Sequence, residues 1–489
     1  MRKSFSRQAR LDCQSISKVK LNLKCRDEII PILRGLQHIY SQPHLRDEIL
    51  ALVAQDVNEN SRSDCGREGL DYWPITVLAA VRLGCNLDYD KLQDLAEQHR
   101  ALRHIMGNGD WQADREDFSW RRIRDNICLL KPETIEAISH CIVAEAYRLC
   151  PDAVKKVRAD SFVAETNIHY PAESSLIVDG VRKTIELCVE LSQEFDISGW
   201  RQHDHLLKKV QQTTRRISRI SARKGVHFKK RLATQYRRLL RGAKQRLTRA
   251  KETCEALENE YGLDFVSLSR IAEIRVFIGR TEHVCGTARR RVLEGEQVPN
   301  ADKLFSIFEP HTQLYKRGKA GQPVQSGRLA LIYEDTLGFI SHQHIMPRDA
   351  QDQDVIVEQT RTLQNRLNDR IEELSVDRGF HSPENQTALA EIIEHVCLPK
   401  PGRKQALKQA AEASLTFHQS RRRHPGVESA IGALQSGNGL LRCRDETQLG
   451  FERYVALAVL GRNLHTLGKL LIAREDELAP AAFSKRAAA

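Results

Sequence analysis

Ile371-Glu372-Glu373-Leu374-Ser375-Val376-Asp377-Arg378-Gly379-Phe380-His381-Ser382-Pro383-Glu384-Asn385 carries the densest structural signal in this chain. It predicts a short apolar strand that ends on a carboxylate, a glycine turn, and a helix capped by Ser382 with Pro383 at its first position. Asp377 then stands at the carboxyl end of a strand, the edge where reacting groups gather in open α/β sheets. Asp-Arg-Gly is also ordinary turn chemistry, so the weight rests on two further carboxylates in matching settings. Upstream, Lys155-Lys156-Val157-Arg158-Ala159-Asp160-Ser161-Phe162-Val163-Ala164-Glu165 reads as a strand with Asp160 in its middle. An aspartate in a strand otherwise fit for burial is costly unless it is paired or binds a cation. Downstream, Val427, Ala430, Ile431 and Leu434 form an apolar helical stripe with Glu428 beside it in the first turn. Two strand aspartates and a helix glutamate make a set of hard oxygen ligands suited to magnesium.

Three motifs in order give the chain a likeness to a known family. They are Ala159-Asp160-Ser161 followed by Asn167-Ile168-His169-Tyr170-Pro171, then Val376-Asp377-Arg378-Gly379-Phe380-His381-Ser382, then the helix holding Glu428. Between them stand Phe308-Glu309-Pro310-His311-Thr312, Lys316-Arg317-Gly318-Lys319 and Ser326-Gly327. In this order they resemble the DDE transposases of bacterial insertion sequences, most closely the ISNCY group, over most of the chain from about Gly66 onward. Where that family has Thr-Asp after Tyr-Pro, this chain has Ala172-Glu173. A related group's Tyr-Arg-Glu-Lys signature is not in register, since His424 stands where its arginine would be.

The resemblance implies Asp160, Asp377 and Glu428 as catalytic residues and as the ligands of two Mg²⁺ ions, with Mn²⁺ able to substitute. It implies double-stranded DNA as partner, both element ends and target, and a homo-oligomer assembled on that DNA. Water would cut at the element's ends, and the freed 3′ hydroxyl would attack target DNA. Two other readings stay open: a transposase-derived DNA-binding protein without catalysis, and a ribonuclease H-like nuclease without strand transfer.

At 489 residues with 41% hydrophobic content, the chain is long enough for about two to four domains with real cores. The net charge of +12 favours a polyanionic partner. Twelve cysteines without a Cys-x-x-Cys pair argue against a zinc site and for reduced thiols in a cytosolic setting; the resemblance implies that this is the bacterial cytoplasm, near the nucleoid. Residues 1–7 are basic with no apolar run behind them, the pattern of neither a signal peptide nor a membrane anchor.

Amphipathic spacing predicts helices at 29–36 and 45–57, which form an N-terminal helical arm over 1–60. After a polar linker at 61–69, helices follow at 73–83, 89–99, 118–130 and 132–150, a DNA-binding or dimerisation domain over 61–150. Within it, Ser119-Trp120-Arg121-Arg122-Ile123-Arg124 reads equally as a helix-turn-helix DNA contact through Arg121, Arg122 and Arg124, or as a helix with Trp120 and Ile123 in the core and solvated arginines. After the Asp160 strand, a helical interruption spans 174–303. Leu232, Tyr236, Leu239, Ala243, Leu247, Ala250, Cys254 and Leu257 form a coiled-coil seam there, faced by Leu206, Val210, Ile217 and Ile220. The expected shape is a hairpin broken at Lys224-Gly225, followed by a third helix through Ile271, Ile274, Ile278 and Ala288. From Arg201 to Lys251 the only acid is Asp204. That bias makes Arg215, Arg216, Arg219, Lys229, Lys230, Arg237, Arg238 and Arg241 candidate DNA-backbone contacts.

Strand patterning resumes with a hairpin at 329–333 and 338–342, whose turn Glu334 and Asp335 open. A helix at 355–367, the Asp377 strand, a helix at 383–395, a strand at 396–398 and the Glu428 helix follow, then an apolar helix at 451–471 and a C-terminal tail at 472–489, frayed from 479 onward. Charge and placement add Lys319, Arg378, Lys400 and Arg423 as DNA contacts. Glu165, Glu173, Glu334, Asp335 and Asp354 read as surface or turn carboxylates. The expected fold is α/β: a ribonuclease H-like catalytic domain over 151–173 and 304–471, interrupted after its first strand by the basic helical insertion and preceded by an all-α N-terminal domain.

Overall fold

Apolar spacing alone sets most of the helices in the first third of the chain: α1 (Ile29–Ser41), α2 (Pro43–Glu59), α3 (Tyr72–Gly84), α4 (Tyr89–Gln98), α6 (Trp120–Ile127) and α7 (Pro132–Leu149). The short α5 (Arg100–Met106) has too few residues to show a period. It is fixed at its ends instead, where His99 Nδ1 accepts from Leu102 N and Gly107 takes a left-handed φ of 88°. The computed structural model describes residues 13–59, 69–110, 118–316, 324–400, 412 and 414–487. They fall into two compact units, one of Met1–Asn167 with Arg328–Ala489 and the other of Ile168–Gly327. The expected linker lies almost wholly outside the described residues.

In the first unit the strands are β1 (Lys156–Glu165), β3 (Gln325–Glu334, which begins in the second unit), β4 (Ile340–Ile345), β5 (Glu373–Val376) and β6 (His395–Cys397). Their order in the sheet is β4-β3-β1-β5-β6. β5 runs parallel to β1 and to β6, and β4 antiparallel to β3, so the chain is mixed α/β with a mixed sheet. α12 (Asp352–Arg366) links β4 to β5, and α13 (Pro383–Ala390) links β5 to β6. α13 stops short of the expected His395 because that residue already pairs with Glu373 in the sheet. After β6 come α14 (Leu415–Arg423), α15 (Gly426–Gly432) and α16 (Gln448–Ala487). α16 runs on well past residue 471 to Ala487, so the expected tail is helical there.

Among the described residues α16 is the one helix long and apolar enough to cross a membrane, but it packs against α1, α3, α7 and β4. Glycines make those crossings tight. A Cβ on Gly468 would lie 1.7 Å from Pro31 O, and one on Gly461 would lie 2.5 Å from Gly84 Cα. The helices α1 and α16 are thereby packed into one core.

Among the described residues the second unit holds four helices rather than the expected three: α8 (Glu173–Glu194), α9 (His203–Arg223), α10 (Phe228–Glu260) and α11 (Phe265–Leu293). The α10 seam is buried from Tyr236 through Leu257 against Val210 and Ile217 of α9 and Ile271, Ile274 and Ile278 of α11. The unforeseen helix, α8, adds Ile177, Val181, Ile185, Cys188 and Leu191 to that core. It crosses α11 where Gly180 meets Thr281, so closely that a Cβ would fall 2.0 Å from the hydroxyl. The hairpin turn is set by left-handed Lys224 and His227, with φ of 40° and 59°. β2 (Gln313–Tyr315) pairs with the first residues of β3 inside this unit.

Candidate active site and nucleic-acid interface

Register brings the two aspartates together. β1 and β5 pair in parallel through Val157↔Leu374, Arg158↔Ser375 and Ala159↔Val376, so Asp160 and Asp377 are the next residues along adjacent strands. Asp377 is exposed and stands just before the single 3₁₀ turn Arg378–Phe380, without a side-chain capping bond to it. Asp160 is half-buried, and its Oδ1 accepts from Ser161 N at 2.7 Å.

α15 docks on β1 and carries the third carboxylate. Its first residue, Gly426, sits against the Arg158 guanidinium, where a Cβ would fall 2.0 Å from Nη1. Val427, Ala430 and Ile431 turn inward and Glu428 stays exposed. His424 lies among these groups. Burial pushes its imidazole below the ordinary range, while the charges of Asp377 and Glu428 act to raise it and Arg158 acts to lower it. Its Nδ1 is buried without a hydrogen-bond partner. No spacing in the sequence marks His424 for this position.

The floor of the site is an ion-pair network that the sequence conceals. Glu334, read as a surface or turn residue, is 4% exposed and accepts from Arg158 Nε at 2.6 Å. Arg158 Nη1 also donates to Arg423 O at 2.8 Å. Asp335 is buried as well; its Oδ1 accepts from Leu337 N and Phe339 N, and burial pushes its carboxyl up to about 7. Both corrections have one cause: Glu334 and Asp335 sit at the buried base of the hairpin, and only Thr336 and Leu337 at its tip face water. Arg423, a candidate DNA contact, is bound to the buried Glu373 together with the Ser420 hydroxyl. Burial acts to raise the Glu373 carboxyl, but these two partners outweigh it and hold it below the usual range. A fourth carboxylate, missed in the sequence, stands near the same edge. Asp352 Oδ1 accepts from Ser161 Oγ at 2.5 Å, and its Oδ2 lies 3.6 Å from where a Gly379 Cβ would be.

Asp160, Asp377 and Glu428 supply only oxygen donors, which suits Mg²⁺ or Mn²⁺. Among the described residues, no group of three or more His, Cys, Asp or Glu side chains is gathered closely enough to hold an ion. Every described cysteine is a free thiol.

The basic candidates divide into three kinds. On α6, Arg121 and Arg124 stack over Trp120, with Arg124 also paired to Asp125 at 2.8 Å, and Arg122 Nη2 reaches Gly69 O at 3.4 Å. Ile123 of the same helix is buried and Trp120 is half-exposed. Arg378 is exposed beside Asp377, Lys400 is half-buried with its backbone N–H on Glu412, and Lys319 lies outside the described residues. On the bundle, Arg215, Arg216, Arg219, Lys229, Lys230, Arg237, Arg238 and Arg241 are all exposed, and none makes an ion pair among the described residues. Arg216, Arg219 and Arg223 of α9 and Arg231 of α10 line a groove of about 570 Å³ with Ile220 and Phe228. Cations so close together repel one another, and phosphate oxygens would relieve that repulsion. Glu173, which stands where the resembled family has its Thr-Asp, is tied to Arg291 at 2.6 Å within the bundle.

Set against known protein families, curated proteins and solved structures, the chain matches none. The likeness to DDE transposases therefore rests on the motifs and their order.

Proposed function

We propose that this protein is a DDE transposase that cleaves DNA at the ends of an insertion sequence and joins them to target DNA, using a ribonuclease H-like domain with a basic helical insertion. The observation that carries the reading is the Ala159↔Val376 register, which sets Asp160 beside Asp377 under the helix that bears Glu428. The sheet order β4-β3-β1-β5-β6, with its parallel β1, β5 and β6, agrees with a ribonuclease H-like arrangement.

Asp160, Asp377 and Glu428 would hold Mg²⁺, which when bound activates the attacking oxygen and stabilises the departing one. The chain's own residues place the substrate. Arg158, fixed between Glu334 and the Arg423 carbonyl, keeps the seat of α15 and so the position of Glu428. Arg378 faces solvent beside Asp377, within reach of a phosphate, and the unpaired arginines and lysines of the bundle would grip the duplex backbone. Phosphoryl transfer needs little covalent help beyond such placement and charge neutralisation.

The test is strand cleavage and joining on DNA carrying the sequences that flank the coding region, with and without Mg²⁺. Asp160→Ala, Asp377→Ala and Glu428→Ala should each abolish cleavage while leaving DNA binding intact. Retained cleavage in Glu428→Ala would move the third ligand elsewhere. The ungathered carboxylates favour one second reading, a DNA-binding protein on a transposase-derived scaffold. Metal-independent DNA binding with no cleavage by the unaltered protein would select it.

A further inference from the structure

The four-helix unit is electrically polar along its length. Its basic end, where the chain enters α8 and leaves α11, includes the α9–α10 turn with Arg223, Lys224, Lys229, Lys230 and Arg231, all exposed and without ion pairs among the described residues. At the other end of α10, about 50 Å away for a 33-residue helix, the sign reverses. Residues 252–268 carry Glu252, Glu255, Glu258, Glu260 and Asp264 and no Lys or Arg. Residues 184–196, which close α8 at that same end, carry Glu186, Glu190, Glu194 and Asp196 and again no base; these acids outnumber the Arg201, Lys208 and Lys209 that the start of α9 brings to this end and the Arg275 that pairs with Glu258. The ends meet through the Phe195–Tyr261 ring contact and the Arg270–Glu194 ion pair at 2.6 Å.

Each end also shows apolar side chains to water. At the acidic end Phe265 is 86% exposed, Val266 55% and Leu268 46%. At the basic end Val226 is 82% exposed, beside the arginine-lined groove that Phe228 and Ile220 share. Apolar groups inside a charged rim are the composition of a docking surface, not of an ordinary solvated helix end. The acidic rim repels DNA, so its occupant is a protein surface that is basic and apolar. The chain itself presents such a surface at the opposite end of the same bundle.

We infer that this protein self-associates head to tail, with the acidic Phe265 end of one copy seated on the basic Val226 end of another. Such a junction is heterologous; it either closes as a reciprocal pair or continues as a chain of copies. Because the attraction joins opposite rims, it weakens as the screening length falls from about 10 Å at 0.1 M salt to about 3 Å at 1 M.

Sedimentation of the full-length, DNA-free protein over a concentration and salt series tests this, and its outcome is independent of any DNA-cleaving activity. Unaltered protein should associate at low salt and dissociate at high salt. The variant Glu252→Lys/Glu255→Lys/Glu260→Lys, and separately Arg223→Glu/Lys229→Glu/Lys230→Glu, should each lose association by at least about tenfold. Mixing the two should restore it, because one then offers only basic ends and the other only acidic ends. Restoration also shows that both variants are folded. Phe265→Ser, which leaves the charge intact, should weaken association as well. A protein that stays monomeric at every concentration would overturn the inference and leave the acidic end to a different basic partner. So would association that ignores salt, or variants that do not recover on mixing.

Discussion

Charge plays opposite parts in the two units. In the unit built on the sheet, several charged side chains are buried or half-buried and find partners far away in sequence. Arg158 bonds Glu334, Arg423 bonds Glu373, and the buried Arg82 meets Asp445 at 2.5 Å. In the bundle, the arginines and lysines of α9 and the first half of α10 stand in water without ion-pair partners among the described residues. A buried ion pair broken on one side costs several kcal/mol, whereas an exposed cation costs little to remove. The first kind of charge therefore holds structure and tolerates no change. The second is available to a ligand.

The contrast breaks first, and most severely, at the carboxylates. Asp377 is exposed and holds up little, so Asp377→Ala should leave the thermal midpoint nearly unchanged while Mg²⁺-dependent cleavage is abolished, a loss of more than about 10³, since a metal ligand counts for more than one electrostatic stabiliser of a transition state. Parallel melting curves and single-turnover cleavage check this. A large loss of stability would make Asp377 structural.

Next in size is the bundle. Replacing Arg215, Arg216, Arg219 and Arg237 with Gln should flatten the slope of log affinity for duplex DNA against log salt by about 0.9 for each phosphate that is no longer neutralised. The melting temperature should hardly move. An unchanged slope would remove these four from the DNA surface.

A third change probes the sheet unit's packing without touching charge. Gly468→Ala forces a methyl against the Pro31 carbonyl, where only backbone can give way. The urea midpoint should drop by an amount worth about 1–3 kcal/mol, with an unaltered slope.

The last expected effect is on pH. Burial pushes His140 down to about 3, and His342 and His465 down to about 4. In acid the unfolded chain takes up protons that the folded one refuses, so these groups cost stability as pH falls below about 6.5 toward 4. Asp335, raised to about 7, acts oppositely: the folded state holds its proton where the unfolded state has lost it. The three histidines outweigh the single carboxyl, so acidification should lower stability on balance, and Asp335→Asn should make the loss steeper. Unfolding free energies across that pH range check both signs.

What the sequence revealed follows the same division. The β1 and β5 strands, the stripe of Val427, Ala430, Ile431 and Leu434, and the α10 seam are local periodicities, and each lies in the structure where its spacing put it. The exposed cations of the bundle are visible because nothing acidic interrupts them in the chain. The burial of Glu334 was not legible, since it depends on Arg158, 176 positions away. Asp352 reads as one more acid at a helix start until Ser161 and Gly379 are seen beside it. α8 escaped notice as a separate helix because its packing partners, α10 and α11, come later in the chain. His424 lies beside Asp377 only because α14 and α15 fold back over β1 and β5.

The salt link between Glu173 and Arg291 has a kinetic meaning. β1 and β3 are neighbours in the sheet, yet the chain between them runs to roughly 160 residues, and closing so long a loop is entropically unfavourable. α8 and α11 begin and end at the same end of the bundle, tied there by that link, so a bundle that folds first shortens the effective connection to roughly 40 residues. By loop-closure scaling this removes about 1 kcal/mol from the search that joins β1 to β3. The insertion thus acts as a folding clamp for the sheet it interrupts, and helices added at its far end would leave that clamp unchanged.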